Sequence, residues 1–150
     1  MKKTIIGAII LLYSGLLSAQ ILEPVTWAFS SKKTGENTYQ LMATATMDNA
    51  WHIYSQYTDE GGPFPTEFVF TKNNTIILKG KPKEQGELIE KFESVFMVDT
   101  RYYDGSVTFV QEIRTKTDKP VTLEGYVTFM ACNDDMCLPP TEVEFEVVLN

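Results

Sequence analysis

Two cysteines and a single histidine in 150 residues leave at most three thiolate or imidazole ligands, with no second pair to complete a zinc site. No metal and no cofactor are therefore expected. Basic residues are scarce as well, 13 against 20 acids, for a formal charge of −7. That balance repels phosphate backbones and argues against nucleic acid as a partner. Past residue 20 the sequence has no internal repeat, no low-complexity run, no linker and no sustained helical period. It also has no apolar run of the roughly 20 residues that a spanning helix needs. What is present is a globular composition, 43% hydrophobic and 22% charged, with enough chain for one domain with a core.

The one long apolar run lies at the start. Met1-Lys2-Lys3, the stretch from Ile5 to Leu17 and then Ser18-Ala19 have the layout of a secretory signal peptide. Cleavage is expected after Ala19, although Leu17 is larger than the small residue preferred at that position. Removing Lys2 and Lys3 takes the basic count from 13 to 11 against 20 acids, and the formal charge from −7 to −9. No cysteine lies near the cut, so a lipid-modified amino terminus is not expected. The reading is a signal peptide over 1–19 and a bacterial periplasmic domain over 20–150.

Period-2 alternation is plain at the carboxyl end, where Val143, Phe145, Val147 and Leu149 alternate with Glu144, Glu146 and Val148. Similar β-rich stretches occur at Trp27 to Phe29, Tyr39 to Met47, Phe68 to Phe70, Thr75 to Leu78, Val107 to Ile113 and Val121 to Ala131, separated by turn formers. Seven or so short strands predict an all-β protein, an immunoglobulin-like antiparallel β-sandwich. Trp27, Phe29, Phe68 and Phe70 are expected in its core. Lys81 to Glu93, polar and holding Pro82 and Gly86, reads as a loop with at most one helical turn. Asn73-Asn74-Thr75 matches a glycosylation acceptor and is taken as a surface turn.

Cys132 and Cys137 are five positions apart, so they are not the staple between distant strands that sandwiches commonly carry. The residues between them are turn formers except Met136, and a chain reversal over Asn133 to Asp135 would bring the Cα atoms within the roughly 4.4 to 6.8 Å of a disulfide. A ring this small constrains the unfolded chain by only about 2 kcal/mol. It is a weak staple, but it can open and reclose without unfolding a sheet, as a redox dithiol must. Both a structural and a redox-active bridge fit these residues. The loop offers no positive charge, and Asp134 and Asp135 would raise nearby thiol pKa values. Exchange would then be slow and partner-selective.

Three segments, Met130-Ala131-Cys132 through Cys137-Leu138-Pro139-Pro140, Trp51-His52-Ile53-Tyr54, and Gly62-Pro63-Phe64-Pro65-Thr66, give the chain a resemblance to the amino-terminal periplasmic domain of the thiol:disulfide interchange protein DsbD family. The resemblance implies an immunoglobulin-like sandwich and an electron relay through Cys132 and Cys137. The dithiol would accept reducing equivalents from a thioredoxin-like partner fed by a membrane protein, and pass them to oxidised periplasmic proteins. By motif position, Cys137 is the attacked sulfur and Cys132 its resolving partner. The spacing departs from the best-known member, which has one more residue between its cysteines. That member also continues into membrane and thioredoxin-like domains, whereas this chain stops at Asn150, so a membrane electron donor acting in trans is expected. The competing expectation is a non-enzymatic exported sandwich, a binding or accessory module with a structural hairpin disulfide.

The resemblance also suggests neighbours for the pair. Alternation puts His52 and Tyr54 on one strand face and Trp51 and Ile53 on the other. The matching family positions carry aromatic rings beside the disulfide; Tyr54 fits and His52 departs. A protonated histidine there would lower a nearby thiol pKa; otherwise His52 is an exposed strand residue beside a core tryptophan. Phe96 occupies the place of a family aromatic that caps the disulfide, with Val95 as the alternative if the alignment slips by one. Apolar pattern alone reads Val95, Phe96 and Val98 as strand core.

Overall fold

The structure, a computed structural model, describes residues 22–94 and 96–150. The expected signal peptide over 1–19 lies outside them. The described residues form eleven strands and no helix: β1 (Val25–Gly35), β2 (Thr38–Met47), β3 (His52–Tyr54), β4 (Glu67–Phe70), β5 (Ile76–Gly86), β6 (Ile89–Glu93), β7 (Val98–Asp104), β8 (Ser106–Thr115), β9 (Val121–Phe129), β10 (Ala131–Cys132) and β11 (Thr141–Leu149). They pair in the orders β1-β2-β8-β5, β10-β3-β7-β6 and β11-β9-β4. Every pairing is antiparallel. The all-β, immunoglobulin-like sandwich expected from the alternation is the architecture found.

Two apolar clusters hold the layers together. In one, Tyr39, Leu41 and Ile113 of the first sheet meet Leu123, Phe145, Val147 and Leu149 of the third. The glutamates that alternate with the apolar residues of β11 face solvent, as a half-buried strand requires. In the other cluster, Ala43, Ala45, Val107 and Phe109 meet Trp51, Ile53, Tyr103, Phe129 and Ala131. Trp27 is the aromatic hub, with its centroid 5.4 Å from Phe129, 5.8 Å from Phe109 and 6.0 Å, edge-on, from Phe68. Phe29 stacks on Phe145 at 4.8 Å, and Phe70 meets Phe145 at 5.8 Å. These four aromatics pack against the core as expected.

The segment from Val121 to Ala131 is not one strand. After Phe129 the chain leaves the third sheet at Met130 and enters the second as β10. This crossing carries the first cysteine, still buried, onto a small four-stranded sheet.

Lys81 to Glu93 corrects the expectation of a loop. It is the second half of β5, a two-residue break, and β6. Both strands lie at sheet edges and are exposed along most of their length, so neither face needs an apolar row and alternation is lost. Pro82 is accommodated because the β5 register slips between Lys79 and Lys83, a bulge on an edge strand where a missing N–H costs no ladder bond. Asn73 does make the expected turn, its side-chain oxygen accepting from the Thr75 N–H at 2.9 Å and from the Thr75 hydroxyl at 2.7 Å.

Candidate functional site

The cysteines close a tight hairpin. The Leu138 N–H donates to the Ala131 carbonyl and the Asn133 N–H to the Met136 carbonyl, both at 2.9 Å, which leaves Cys132 and Cys137 facing each other as the non-hydrogen-bonded pair between them. Such pairs bring Cα atoms to about 4.5 Å. Here they are 4.0 Å apart, closer than the expected range, and the sulfurs are bonded. The reversal runs through Asp134 and Asp135. It is held by the Asn133 side-chain oxygen, which accepts from the N–H groups of Asp135 at 2.9 Å and Met136 at 2.8 Å. The two cysteines are unequal: Cys132 is 1% exposed, whereas Cys137 is solvent-exposed.

Register then decides what surrounds the bridge. Cys132 lies directly opposite His52, and His52 opposite Asp104; one step along, Tyr54 pairs with Tyr102. Directly opposed residues of antiparallel strands project to the same side, so Cys132, His52, Asp104, Tyr54 and Tyr102 share one face. Ile53, Tyr103 and Ala131 alternate onto the other face, in the core. The β6–β7 hairpin completes the surround. Its turn places Phe96 outside any strand, and the N–H groups of Phe96 and Met97 both donate to the Glu93 carbonyl, at 3.1 and 2.8 Å. Met97 takes the left-handed conformation, φ 59°, that this turn demands.

A cleft of about 730 Å³ results, lined among others by Cys132, Cys137, His52, Tyr54, Phe96 and Tyr102. All five residues singled out in the sequence, Cys132, Cys137, His52, Tyr54 and Phe96, thus border one cavity. Phe96 is 39% exposed and belongs to neither core cluster, unlike the strand-core residue that pattern alone implied. The alternative cap Val95 falls outside the described residues. Lys91 and Glu93 also line the cleft and were not foreseen; Tyr102, a second alternative to Phe96 as the barrier, lines it too. Reading Lys81 to Glu93 as a loop removed the first two from consideration, and the signal that could have found them was the turn-flanked pairing of two charged edge strands.

Charge in the cleft is predominantly negative. Burial lowers the His52 imidazole below its ordinary 6.5, while Glu93, Asp134 and Asp104 pull it back up and Lys91 adds to the lowering. The imidazole Nε2 is 3.1 Å from the Tyr54 hydroxyl, and the ring centroid is 4.5 Å from that of Tyr102. Burial, aided by Glu93 and Tyr102, pushes the Tyr54 phenol up to about 12. Lys91 is engaged by Glu93 at 3.0 Å.

A family model for the amino-terminal domain of thiol:disulfide interchange protein DsbD matches residues 18–149. The chain belongs to this family. Among solved structures, the N-terminal periplasmic domain of ScsB from Proteus mirabilis is similar at 17% identity and a TM-score of 0.61, over 83% of this chain and 46% of that one. The chain thus spans about half the length of that relative. The Neisseria meningitidis DsbD N-terminal domain in the reduced form is similar at 14% identity and a TM-score of 0.54, over 81% and 85% of the two chains. The same domain in complex with the PilB N-terminal domain gives 14% and 0.55, over 85% and 87%. At these identities the likeness establishes the fold. No curated protein matches the chain significantly. Membership in the DsbD amino-terminal family and the disulfide in the cleft together support thiol:disulfide exchange as the chemistry of the site.

Proposed function

We propose that this is a periplasmic thiol:disulfide exchange domain, occupying residues 20–150 after removal of a signal peptide over 1–19. Its Cys132–Cys137 pair relays reducing equivalents from a thioredoxin-like donor, itself fed by a membrane protein in trans, to oxidised exported proteins. The observation that carries the reading is the inequality of the cysteines: an exposed Cys137 bonded to a buried Cys132 within a six-residue ring at a hairpin. An incoming thiolate reaches Cys137 from solvent and forms the mixed disulfide there, and Cys132 leaves with the electron pair of the broken bond. Because only the hairpin closes the ring, opening it disturbs no ladder of the sandwich core. The complex of a DsbD N-terminal domain with a PilB N-terminal domain supports another protein as the reaction partner. Phe96, on its turn above the cleft, is the cap that such a partner displaces.

Cys132→Ser should accumulate stable mixed disulfides with a thioredoxin-like protein, because the resolving sulfur is gone. Cys137→Ser should trap little. Equal trapping by both variants contradicts the assignment of roles, and trapping by neither favours a structural bridge in a non-enzymatic sandwich.

A further inference from the structure

We propose that His52 exchanges a proton with the Cys132 sulfur each time the ring opens and closes, an inference that rests on the redox reading of the pair. The register places the two residues directly opposite each other on neighbouring strands, side chains on the same face, both on the wall of the same cleft. Opposed residues of this kind have Cβ atoms about 4.5 to 5.5 Å apart, within reach of an imidazole and a sulfur.

The surroundings suit a group that changes charge. The Tyr54 hydroxyl, 3.1 Å from Nε2, accepts from Nε2–H both in the imidazolium and in the neutral ring left when Nδ1 gives up its proton, so this contact is satisfied in both states. Tyr102 packs on the ring and fixes its orientation. The charged and titratable groups facing His52 are Tyr54 on its own strand, Tyr102 and Asp104 on β7, Lys91 and Glu93 on β6, and Asp134 in the hairpin loop. None of the others can do the same work at neutral pH. A phenol ordinarily holds its proton at neutral pH, and burial pushes Tyr54 further up. Lys91 is held by Glu93, and a carboxylate beside a departing thiolate repels it. His52 is the single histidine of the chain.

The steps balance as follows. A thiolate of a partner dithiol attacks the Cys137 sulfur, forming the intermolecular bond. The Cys132–Cys137 bond breaks with its electron pair on the Cys132 sulfur, which takes the proton of the His52 imidazolium. The partner's second thiolate attacks its own sulfur in the mixed disulfide and releases Cys137 as a thiolate. The bridge has gained two electrons, and the partner has become a disulfide. When the reduced pair meets an oxidised protein, the Cys137 thiolate attacks one sulfur of its disulfide, the other sulfur leaves as the first substrate thiolate, and the mixed disulfide forms. Neutral His52 then takes the Cys132 proton as that sulfur attacks Cys137 and expels the second substrate thiolate.

Because there is one histidine, its ring signals in an NMR pH titration are unambiguous. The wild-type domain is titrated oxidised and again after reduction with a phosphine, so no variant has to fold. In the reduced domain the His52 ring signals should show, above their own midpoint, a second inflection as the Cys132 thiol beside the ring loses its proton, and the oxidised domain, which has no thiol there, should lack it. In parallel, the rate of bridge opening by dithiothreitol, expressed per dithiothreitol thiolate, should fall as pH rises through the His52 midpoint. In His52→Gln that rate should be flat and, at low pH, roughly two- to fivefold slower, as a poorer leaving thiol dictates. Absence of the second inflection after reduction, or the same pH profile in the variant, overturns the relay and leaves thiol exchange itself standing. A bridge that glutathione buffers leave closed removes the redox reading, and the relay with it.

Discussion

Phe96 and Glu84 are both side chains beside the small sheet, but they are held for different ends. The Phe96 ring sits on a turn, part exposed, and borders the same cleft as both sulfurs, where the proposed cap would slow attack by small thiols. Phe96→Ala should speed reduction of the bridge by dithiothreitol while shifting the urea midpoint little, because truncating a fully buried phenylalanine would cost about 3 to 5 kcal/mol and this ring is not buried. An unchanged rate with a large stability loss would make it a core residue, and the barrier would have to be sought at Tyr102. Glu84 instead ties β5 to the small sheet. Its carboxylate accepts from the Ser55 hydroxyl at 2.8 Å, the Gln56 N–H at 2.8 Å and the Tyr103 hydroxyl at 2.7 Å. Glu84→Ala strands the buried Ser55 and Tyr103 hydroxyls and should cost about 2 to 3 kcal/mol in denaturant unfolding. His52 adds a pH dependence of known sign. Its folded pKa is lowered, so its contribution to stability is complete above the unfolded value near 6.5 and is lost as pH falls below that toward the folded value. Between about pH 7.5 and 5.5 the wild type should lose more stability than His52→Gln.

The turn between β6 and β7 is the element that carries Phe96, the proposed cap. Met97 sits at φ 59°, in the region that glycine enters without steric cost and β-branched residues resist. Met97→Gly should keep the turn and the slow reduction rate; Met97→Val should destabilise by about 1 to 2 kcal/mol and expose the bridge to dithiothreitol. Equal reduction rates in the two variants would separate the turn from the gating. Little of this element was legible in the sequence. The strands that alternate, β2, β8, β9 and β11, bury one face and so write their period into the residue types. The edge strands β5 and β6 bury almost nothing, and their lysines and glutamates carry no period to read. The cysteine hairpin was legible for a different reason: turn formers fill the space between two cysteines, and only a reversal there can join them.

Across the whole molecule, the division of labour follows from where the layers meet. The first and third sheets enclose the aromatic core, and the second sheet, reached when β9 gives way to β10, presents the bridge on its outer face. The ring therefore adds only about 2 kcal/mol by chain entropy to a fold held by two apolar clusters. Sequence pattern located the core and both cysteines, but not the cross-strand row from Cys132 to His52 to Asp104, because register between distant segments is not written in either one alone. The central claim is that this bridge is an exchanging dithiol. Equilibrating the purified domain in glutathione and thioredoxin buffers of graded poise, and counting free thiols while following the β-sheet signal, tests it directly. The account predicts a reversible two-thiol transition with the fold intact, at a potential above about −300 mV. A bridge that stays closed to well below that value, or that opens only as the sheet signal is lost, would contradict it.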